Sequence, residues 1–395
     1  MRHTDVTIIG GGLAGATAAA MLGDAGIATV LVDPHLVYPP DFRCEKIDDE
    51  QRALLVKIGL ADKVLPAMAR ADELWVGQYG HIIRHQATTQ HGMLYHDLVN
   101  TVRRAIPASV TIVEDKAAEV ATSDDRQIVR TASGEEISSR LVVVATGLNP
   151  SLRHVLNVER RELSRCHSIT VGFDIVPVGR AAFDFPALSY YAERPSDLGA
   201  YLTLFPIPGA MRANYMCYRG LDDPWIHEVR QDPHKALTAI MPNLERRIGR
   251  FAVAGQMRVR PADLYVTENY QRPGLILIGD AFSTSCPAAG TGSGKALSDV
   301  VCLQRHLGAW LATPGMAADK IAAFYADPDR LAYHKMALTK AYNLKSLCID
   351  RSPRWALARL LRFVVRGARG VLEGAPTRRP AAASVDRRAP TVRHV

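Results

Sequence analysis

The sequence predicts an α/β protein: a parallel sheet flanked by helices, interleaved with a second, mostly antiparallel region and followed by C-terminal helices. Three observations predict it. A mostly apolar segment at 5–9 runs into a glycine cluster, a small-residue helical stretch at 14–25 and a second apolar segment at 28–32. Further apolar strand segments stand at 140–145 and 274–279, each stopped by a glycine turn. From about 166 to 260 the pattern changes to short alternating strands (168–175, 200–205, 211–218) separated by Pro- and Gly-rich turns. Unbroken apolar runs suit a parallel sheet covered on both faces, whereas alternation suits a sheet with unlike faces.

Taken in order, 5–9, 14–25 and 28–32 form one βαβ unit of roughly 30 residues. Residues 45–61 read as a helical stretch ending near Gly59, 95–106 as another helix, and 109–114 and 126–130 as strands. A helix is expected from about 293 to 311, and the chain stays helical to about 372. The tail 374–395, rich in Pro, Ala and Arg, has too few large apolar groups to pack and is expected to be disordered. No internal repeat is present.

Composition bounds the function. The 395 residues are 48% apolar and 22% charged, enough for a sizeable core. The net charge of +8 is concentrated at one end, where eleven arginines between 351 and 393 face only Glu373 and Asp386. The remaining body is near neutral, which argues against a nucleic-acid partner. The six cysteines are scattered without a C-x-x-C pair, as expected of a reducing compartment with no disulfide framework. The thirteen histidines show no ligand spacing, so no metal is assigned. No signal peptide and no bilayer-spanning run are read, so a cytoplasmic protein is the expectation.

Gly10-Gly11-Gly12-Leu13-Ala14-Gly15 satisfies G-x-G-x-x-G directly between a strand and a helix. Gly10 permits the tight turn, Gly12 lets a pyrophosphate approach the backbone, and Gly15 lets the helix lie close to the sheet. The free N–H groups at the helix start favour an anion. Asp33 ends the second strand, where a carboxylate accepts hydrogen bonds from ribose hydroxyls. This Rossmann-type arrangement by itself does not separate FAD from NAD.

A second block runs Gly279-Asp280-Ala281, then Pro287, Gly290, Thr291, Gly292 and Gly294. It resembles the G-D-A and P-x-x-G-x-G block of the flavoprotein aromatic hydroxylases, the family that includes para-hydroxybenzoate hydroxylase. The resemblance implies FAD as cofactor, with Asp280 on the ribityl chain, Pro287 as a rigid wall beside the reactive flavin carbon, and Gly290, Thr291 and Gly292 opening a helix aimed at the pyrimidine ring. Phe42-Arg43-Cys44-Glu45-Lys46 follows the second strand where the family places an arginine near the cofactor. Leu141 to Gly147 is similar to the strand that brings Thr146 and Gly147 against the cofactor. The chain departs from the family with Phe282 and Ser283 in place of a histidine, Tyr95 where an arginine is common, and Gly294-Lys295 in the stretch where an asparagine is usual.

The resemblance places an FAD-binding domain at 1–75, 95–165 and 262–320, a substrate domain at 76–94 and 166–261, and a helical region at 321–373, with the basic tail at 374–395. The expected cofactor contacts are Gly10, Gly12, Leu13, Ala14, Gly15, Asp33, Arg43, Thr146, Gly147, Asp280, Pro287, Gly290, Thr291 and Gly292. Tyr201, Thr203 and Phe205 alternate along one strand, and Arg212 and Tyr215 come from the next. They are expected to line the substrate pocket, the blander reading being that they form the domain core. Asp299 reads as a helix surface or packing residue, and Cys286 as a small buried thiol.

The expected activity is FAD-dependent hydroxylation or epoxidation of an organic, aromatic substrate by O2, with NAD(P)H as transient reductant. Two rivals remain. One is a flavin reductase of isoprenoid double bonds, suggested by Tyr201 to Pro206; the other is a non-catalytic FAD-binding protein that docks on membranes. Residues 353–372 carry arginines three or four apart beside Leu357, Leu360, Leu361, Val364 and Val365. Packing on the rest of the chain is the expected use of this helix; weak association with an anionic membrane surface is the alternative.

Overall fold

The structure, a computed structural model, describes residues 1–194 and 198–372; the expected disordered tail lies outside the described residues. Five strands form an all-parallel sheet in the order Leu275–Leu277, Leu141–Val144, Val6–Ile9, Thr29–Asp33, Thr111–Glu114. Val6, Ile8, Val142, Val143 and Ile276 are wholly buried, as a sheet covered on both faces demands. The chain runs outward from Val6–Ile9 on one side and later returns to Leu141–Val144 on the other. The carboxyl end of Val6–Ile9 is therefore the switch point, where open α/β sheets bind ligands. The glycine turn stands there.

A four-stranded sheet of Arg2–His3, Glu136–Ser139, Gln127–Thr131 and Ala117–Ala121 flanks this layer. Ala117–Ala121 and Glu136–Ser139 are short and half-polar, and their sequences carry no strand signal.

The third sheet has eight strands, in the order Phe251–Glu268, Glu159–Pro177, Ala210–Cys217, Gly199–Ile207, Leu188–Tyr191, Ala69–Gln78, His81–Leu94, Cys44–Ile47. It is antiparallel except between Leu188–Tyr191 and Ala69–Gln78. Three short helices, Pro224–Gln231, Pro233–Ile240 and Leu244–Ile248, cover its back, burying Trp225, Ile226 and Leu237 against Phe173, Leu202 and Tyr215. These helices interrupt the region read as strands alone. The expected helix at 45–61 begins instead as the edge strand Cys44–Ile47, and the helix proper is Asp49–Ile58. Its start is set by an Asp48–Gln51 capping box and its end by Gly59 at φ +82°.

Helices Gly292–Leu311, Ala318–Ala326, Pro328–Ile349 and Pro353–Leu372 complete the fold. No helix among the described residues is long and apolar enough to cross a membrane.

Candidate active site

The parallel sheet, the open face of the eight-stranded sheet and the C-terminal helices surround one cavity of about 1760 Å³. That exceeds the roughly 300–1,000 Å³ of an ordinary small-molecule site.

Gly10, Gly12, Leu13, Ala14 and Asp33 line one end. Gly10 has φ +99°, and a Cβ on it would lie 2.7 Å from the Ala145 carbonyl oxygen. A Cβ on Gly15 would lie 1.8 Å from the Gly10 carbonyl oxygen, so Gly15 sits behind the cavity and serves helix packing. Gly12 differs: its Cβ would meet only the Tyr95 hydroxyl, at 3.7 Å, and otherwise point into open space. Helix Leu13–Asp24 has no side-chain cap from Gly12; its first N–H, that of Leu13, donates to the Tyr95 hydroxyl at a long 3.4 Å. The Asp33 carboxylate accepts from the Gly11 N–H at 2.6 Å and the His35 N–H at 3.0 Å, and pairs with Arg103 at 3.1 Å. Arg103 also donates to the Gly11 carbonyl at 2.8 Å. No local spacing points to Arg103, which lies ninety-two residues from the turn it clamps.

Asp280, Pro287, Gly290 and Gly292 also line the cavity, as do Thr146 and Gly147, which follow Ala145 beside Gly10. Gly290 has φ +65°, and nothing lies within 4 Å of where its Cβ would be. Helix Gly292–Leu311 also lacks a side-chain cap. Gln51 donates to the Gly290 carbonyl at 3.2 Å, and the Tyr201 hydroxyl to the Ala288 carbonyl at 2.6 Å, so the loop is held from both sides. Thr291 is buried and does not line the cavity. Asp299, read from sequence as a surface or packing residue, is wholly buried. It accepts from the Gly279 N–H at 2.8 Å, from Arg330 Nε at 2.8 Å and binds His334 Nε2 at 2.9 Å. It thereby holds the turn that presents Asp280. Lys295, next to Gly294 in the stretch where the family has asparagine, is buried with its ammonium on the Ser283 carbonyl and 3.9 Å from Asp280.

Arg43 lies on the cavity wall with its guanidinium 3.9 Å from the centre of the Tyr95 ring, paired to Asp41 at 2.6 Å and bonded to the Tyr38 hydroxyl at 3.1 Å. Tyr95, the departure from the family's arginine, is the platform under a different arginine. Next to Arg43, burial pushes the Glu45 carboxyl up to about 7, opposed by Arg43 and a hydrogen bond from Ser293 and reinforced by Asp280.

On the eight-stranded sheet Tyr201, Thr203 and Phe205 all line the cavity, joined by Thr170, Asn214 and Met216. Arg212 and Tyr215 do not. Neighbouring odd and even positions of a strand face opposite ways, so Tyr215 turns to the covered back of the sheet, its ring 5.2 Å from Trp225. Arg212 is buried at the cavity's edge, pairing with Asp174 at 2.6 Å and donating to the Phe42 carbonyl at 2.9 Å. Cys286 is buried, as expected, and packs near the Ser168 hydroxyl at 3.4 Å. Helices Pro328–Ile349 and Pro353–Leu372 close the remaining side with Met336, Leu344, Leu347, Trp355 and Arg362.

Cys302, His306 and Asp327 bring ligand-type atoms within 4.8 Å of one another. Asp327 is already engaged by Arg305 at 2.9 Å and His306 at 3.0 Å and caps helix Pro328–Ile349, so the trio works as a helix-end ion cluster.

The geometry fits a dinucleotide cofactor. Two uncapped helix starts converge on one cavity, Gly12 and Gly290 leave Cβ-sized space facing it, and the buried hydroxyls of Thr146 and Ser285 on its wall lack a partner among the described residues. A family model described as "FAD binding domain" matches residues 3–337. The chain belongs to this FAD-binding family. It is 25% identical over 340 residues to the 3-demethoxyubiquinol 3-hydroxylase of Escherichia coli K12, covering 79% of this chain and 83% of that protein. It is 26% identical over 374 residues to the ubiquinone hydroxylase UbiL of Rhodospirillum rubrum, covering 87% and 80%. The p-nitrophenol 4-monooxygenase PnpA of Pseudomonas putida DLL-E4 superposes with a TM-score of 0.73 at 17% identity, covering 94% and 95%. The chain is a FAD-dependent oxidoreductase of the monooxygenase kind, as the resemblance implied.

Glu45 is expected to make the affinity for FAD depend on pH. Its carboxyl is neutral in the folded protein below about 7 and ionised above, while the ordinary value is 4.5. The stability it contributes is full below pH 4.5 and is lost as pH rises through 7. An anion in this cavity opposes an anionic pyrophosphate and an anionic reduced flavin. FAD affinity is expected to fall roughly threefold to tenfold between pH 6 and 8, and Glu45→Gln to flatten that slope. Equal slopes for both proteins in a fluorescence titration would remove Glu45 from this role.

Proposed function

We propose that the protein hydroxylates a lipophilic aromatic ring, of the phenol or quinol class, with O2 and NAD(P)H. When bound, FAD accepts reducing equivalents from NAD(P)H and activates O2 for transfer of one oxygen atom to the substrate. The protein's residues supply the rest. The helix start at Gly12, Leu13 and Ala14 receives the pyrophosphate, and Asp33 the ribose. Asp280 would take the ribityl hydroxyls, Thr146, Gly147 and Arg43 would flank the cofactor, and Pro287 would form a rigid wall beside it. The helix starting at Gly292, behind Gly290 and Thr291, would stabilise negative charge on the bound flavin. The substrate ring lies against Tyr201, Thr203, Phe205 and Met216. The C-terminal helices exclude water, which strengthens each of these polar interactions.

The observation that carries this reading is the convergence of two helix starts without side-chain caps on a cavity also lined by a sheet face of Tyr191, Tyr201, Phe205 and Met216 interspersed with Thr170, Thr203 and Asn214. The domain division at 1–75, 95–165 and 262–320 against 76–94 and 166–261 is part of the proposal, with the edge strand Cys44–Ile47 and most of Ala69–Gln78 contributed to the substrate sheet from the first segment. So is a cytoplasmic location with residues 353–372 peripheral to the inner face of a membrane.

The test is oxygen uptake by the FAD-loaded protein with phenols, quinolones and isoprenoid quinols, followed by product mass. Substrate-stimulated NAD(P)H oxidation and a product heavier by one oxygen atom are expected. Products heavier by two hydrogens would make it a double-bond reductase instead, and substrate-independent NAD(P)H consumption without any product would overturn the proposal.

A further inference from the structure

Helix Pro353–Leu372 packs on the body with the side opposite to the one amphipathic helices ordinarily bury. Arg366 donates to the Tyr191 hydroxyl at 2.7 Å and to Gln78 at 3.2 Å, and stacks 4.0 Å from the Tyr191 ring centre. Arg359 donates to the carbonyls of Leu347 at 3.1 Å and Asp350 at 2.7 Å. Phe363 meets Tyr79 edge-on at 5.2 Å. A Cβ on Gly370 would lie 2.1 Å from the Ile83 carbonyl oxygen, so the helix end is pressed onto strand His81–Leu94. The inward side is therefore arginine, aromatic and glycine.

The apolar stripe points away. Leu357, Leu360, Leu361, Val364, Val365 and Val371 are each 48% to 81% exposed and recur every three or four residues. Scattered exposed apolar residues are ordinary, whereas a continuous row of this kind marks an interaction surface. Arg354 and Arg369 are exposed along one flank, and the helix contains no acidic residue. With five arginines in twenty residues it does not meet the requirement for crossing a bilayer.

We infer that this helix lies on the surface of an anionic membrane, its leucine and valine row among the acyl chains and its flanking arginines on lipid phosphates. The charge argument selects the occupant: a second copy of the chain would bring the same arginine flank against itself, whereas an anionic headgroup layer matches it. The inward residues Trp355, Ala358 and Arg362 line the cavity. The cavity's wall on this side is thus the back of the membrane-facing helix, which sets the cavity beside the bilayer, the phase in which a lipophilic ring dissolves. This last step rests on the substrate reading above; the docking does not.

The experiment is flotation of the full-length FAD-loaded protein with phosphatidylcholine vesicles, with and without phosphatidylglycerol. The protein is expected to float with the anionic vesicles and to release in about 1 M salt, where screening is nearly complete. The outward double variant Leu361→Glu, Val365→Glu is expected to float at least about tenfold less, while its FAD content and its NAD(P)H oxidation in detergent-free buffer stay unchanged. Equal flotation of the variant, or none of the wild type, would overturn the inference. So would a dimer seen by light scattering that the variant converts to monomer, because a second copy would then cover the row. Flotation without oxygenated product would sink the substrate reading alone.

Discussion

Gly12→Ala is expected to give a folded protein that purifies colourless. The argument turns on what each glycine of the turn meets. A methyl group at Gly15 collides with the Gly10 carbonyl at 1.8 Å, and one at Gly10 demands φ +99° against Ala145. Substitution at either position damages the sheet–helix packing itself. Gly12 has φ −70° and ψ −170°, which alanine adopts freely, and its Cβ would touch only the Tyr95 hydroxyl at an ordinary 3.7 Å. The methyl group then occupies the space through which a pyrophosphate reaches the N–H groups of Leu13 and Ala14. FAD affinity is expected to fall by at least about a hundredfold, ~3 kcal/mol, with the apo-protein's melting temperature shifted by no more than about 2 °C. Gly15→Ala is the contrast, expected to lose FAD and fold together. Flavin absorbance titration and circular dichroism separate the two. Normal FAD retention in Gly12→Ala would mean that the cofactor does not use this helix start.

What the sequence disclosed follows from the range over which each feature acts. Gly10, Gly12 and Gly290 are legible because local backbone geometry or a close approach admits only glycine. Tyr201, Thr203 and Phe205 are legible because strand alternation alone puts them on one face, and the same rule shows why Tyr215 had to leave it. The hairpin Ala69–Gln78/His81–Leu94 was invisible because residues such as His85, Gln86, Thr88 and Thr89 are polar on both faces, and the strand Leu188–Tyr191 that continues its sheet lies far away in sequence. Arg103 on Asp33, and Arg330 and His334 on Asp299, are side-chain contacts spanning thirty or more residues; no local spacing encodes them. Tyr95 shows the same limit from the other side. As a departure from a family pattern it seemed a loss, yet the fold stacks Arg43 on it at 3.9 Å and keeps a cation at that wall. The outward face of helix Pro353–Leu372 was equally hidden, since periodicity reveals that a helix has two faces without telling which one the body takes.

The largest effect on stability is expected from Asp299→Ala. Its carboxylate is wholly buried and binds a buried guanidinium, a histidine and the Gly279 N–H at once. Removing it strands Arg330 among Phe282, Phe324 and Tyr325, whose rings lie 4.4 to 5.0 Å from the guanidinium carbon and cannot replace an anion. It also frees a backbone donor at the turn that carries Asp280. Breaking one side of a buried ion pair costs about 3–5 kcal/mol. The fold is therefore expected to weaken by that much in chemical denaturation, with FAD lost before the global transition. The Arg330, His334 and Gly279 contacts hold the carboxyl at about 2, below its ordinary 3.8. Its contribution is thus full above about pH 4 and disappears as pH falls through 2, so the gap between wild type and variant should narrow in acid and stay constant from pH 5 to 8. A double change tests the mechanism: Arg330→Met in the Asp299→Ala background removes the stranded charge and is expected to recover more than half of the loss. If Asp299→Ala unfolds within about 1 kcal/mol of the wild type, or if Arg330→Met worsens it further, the buried cluster is not what holds the second glycine turn in place.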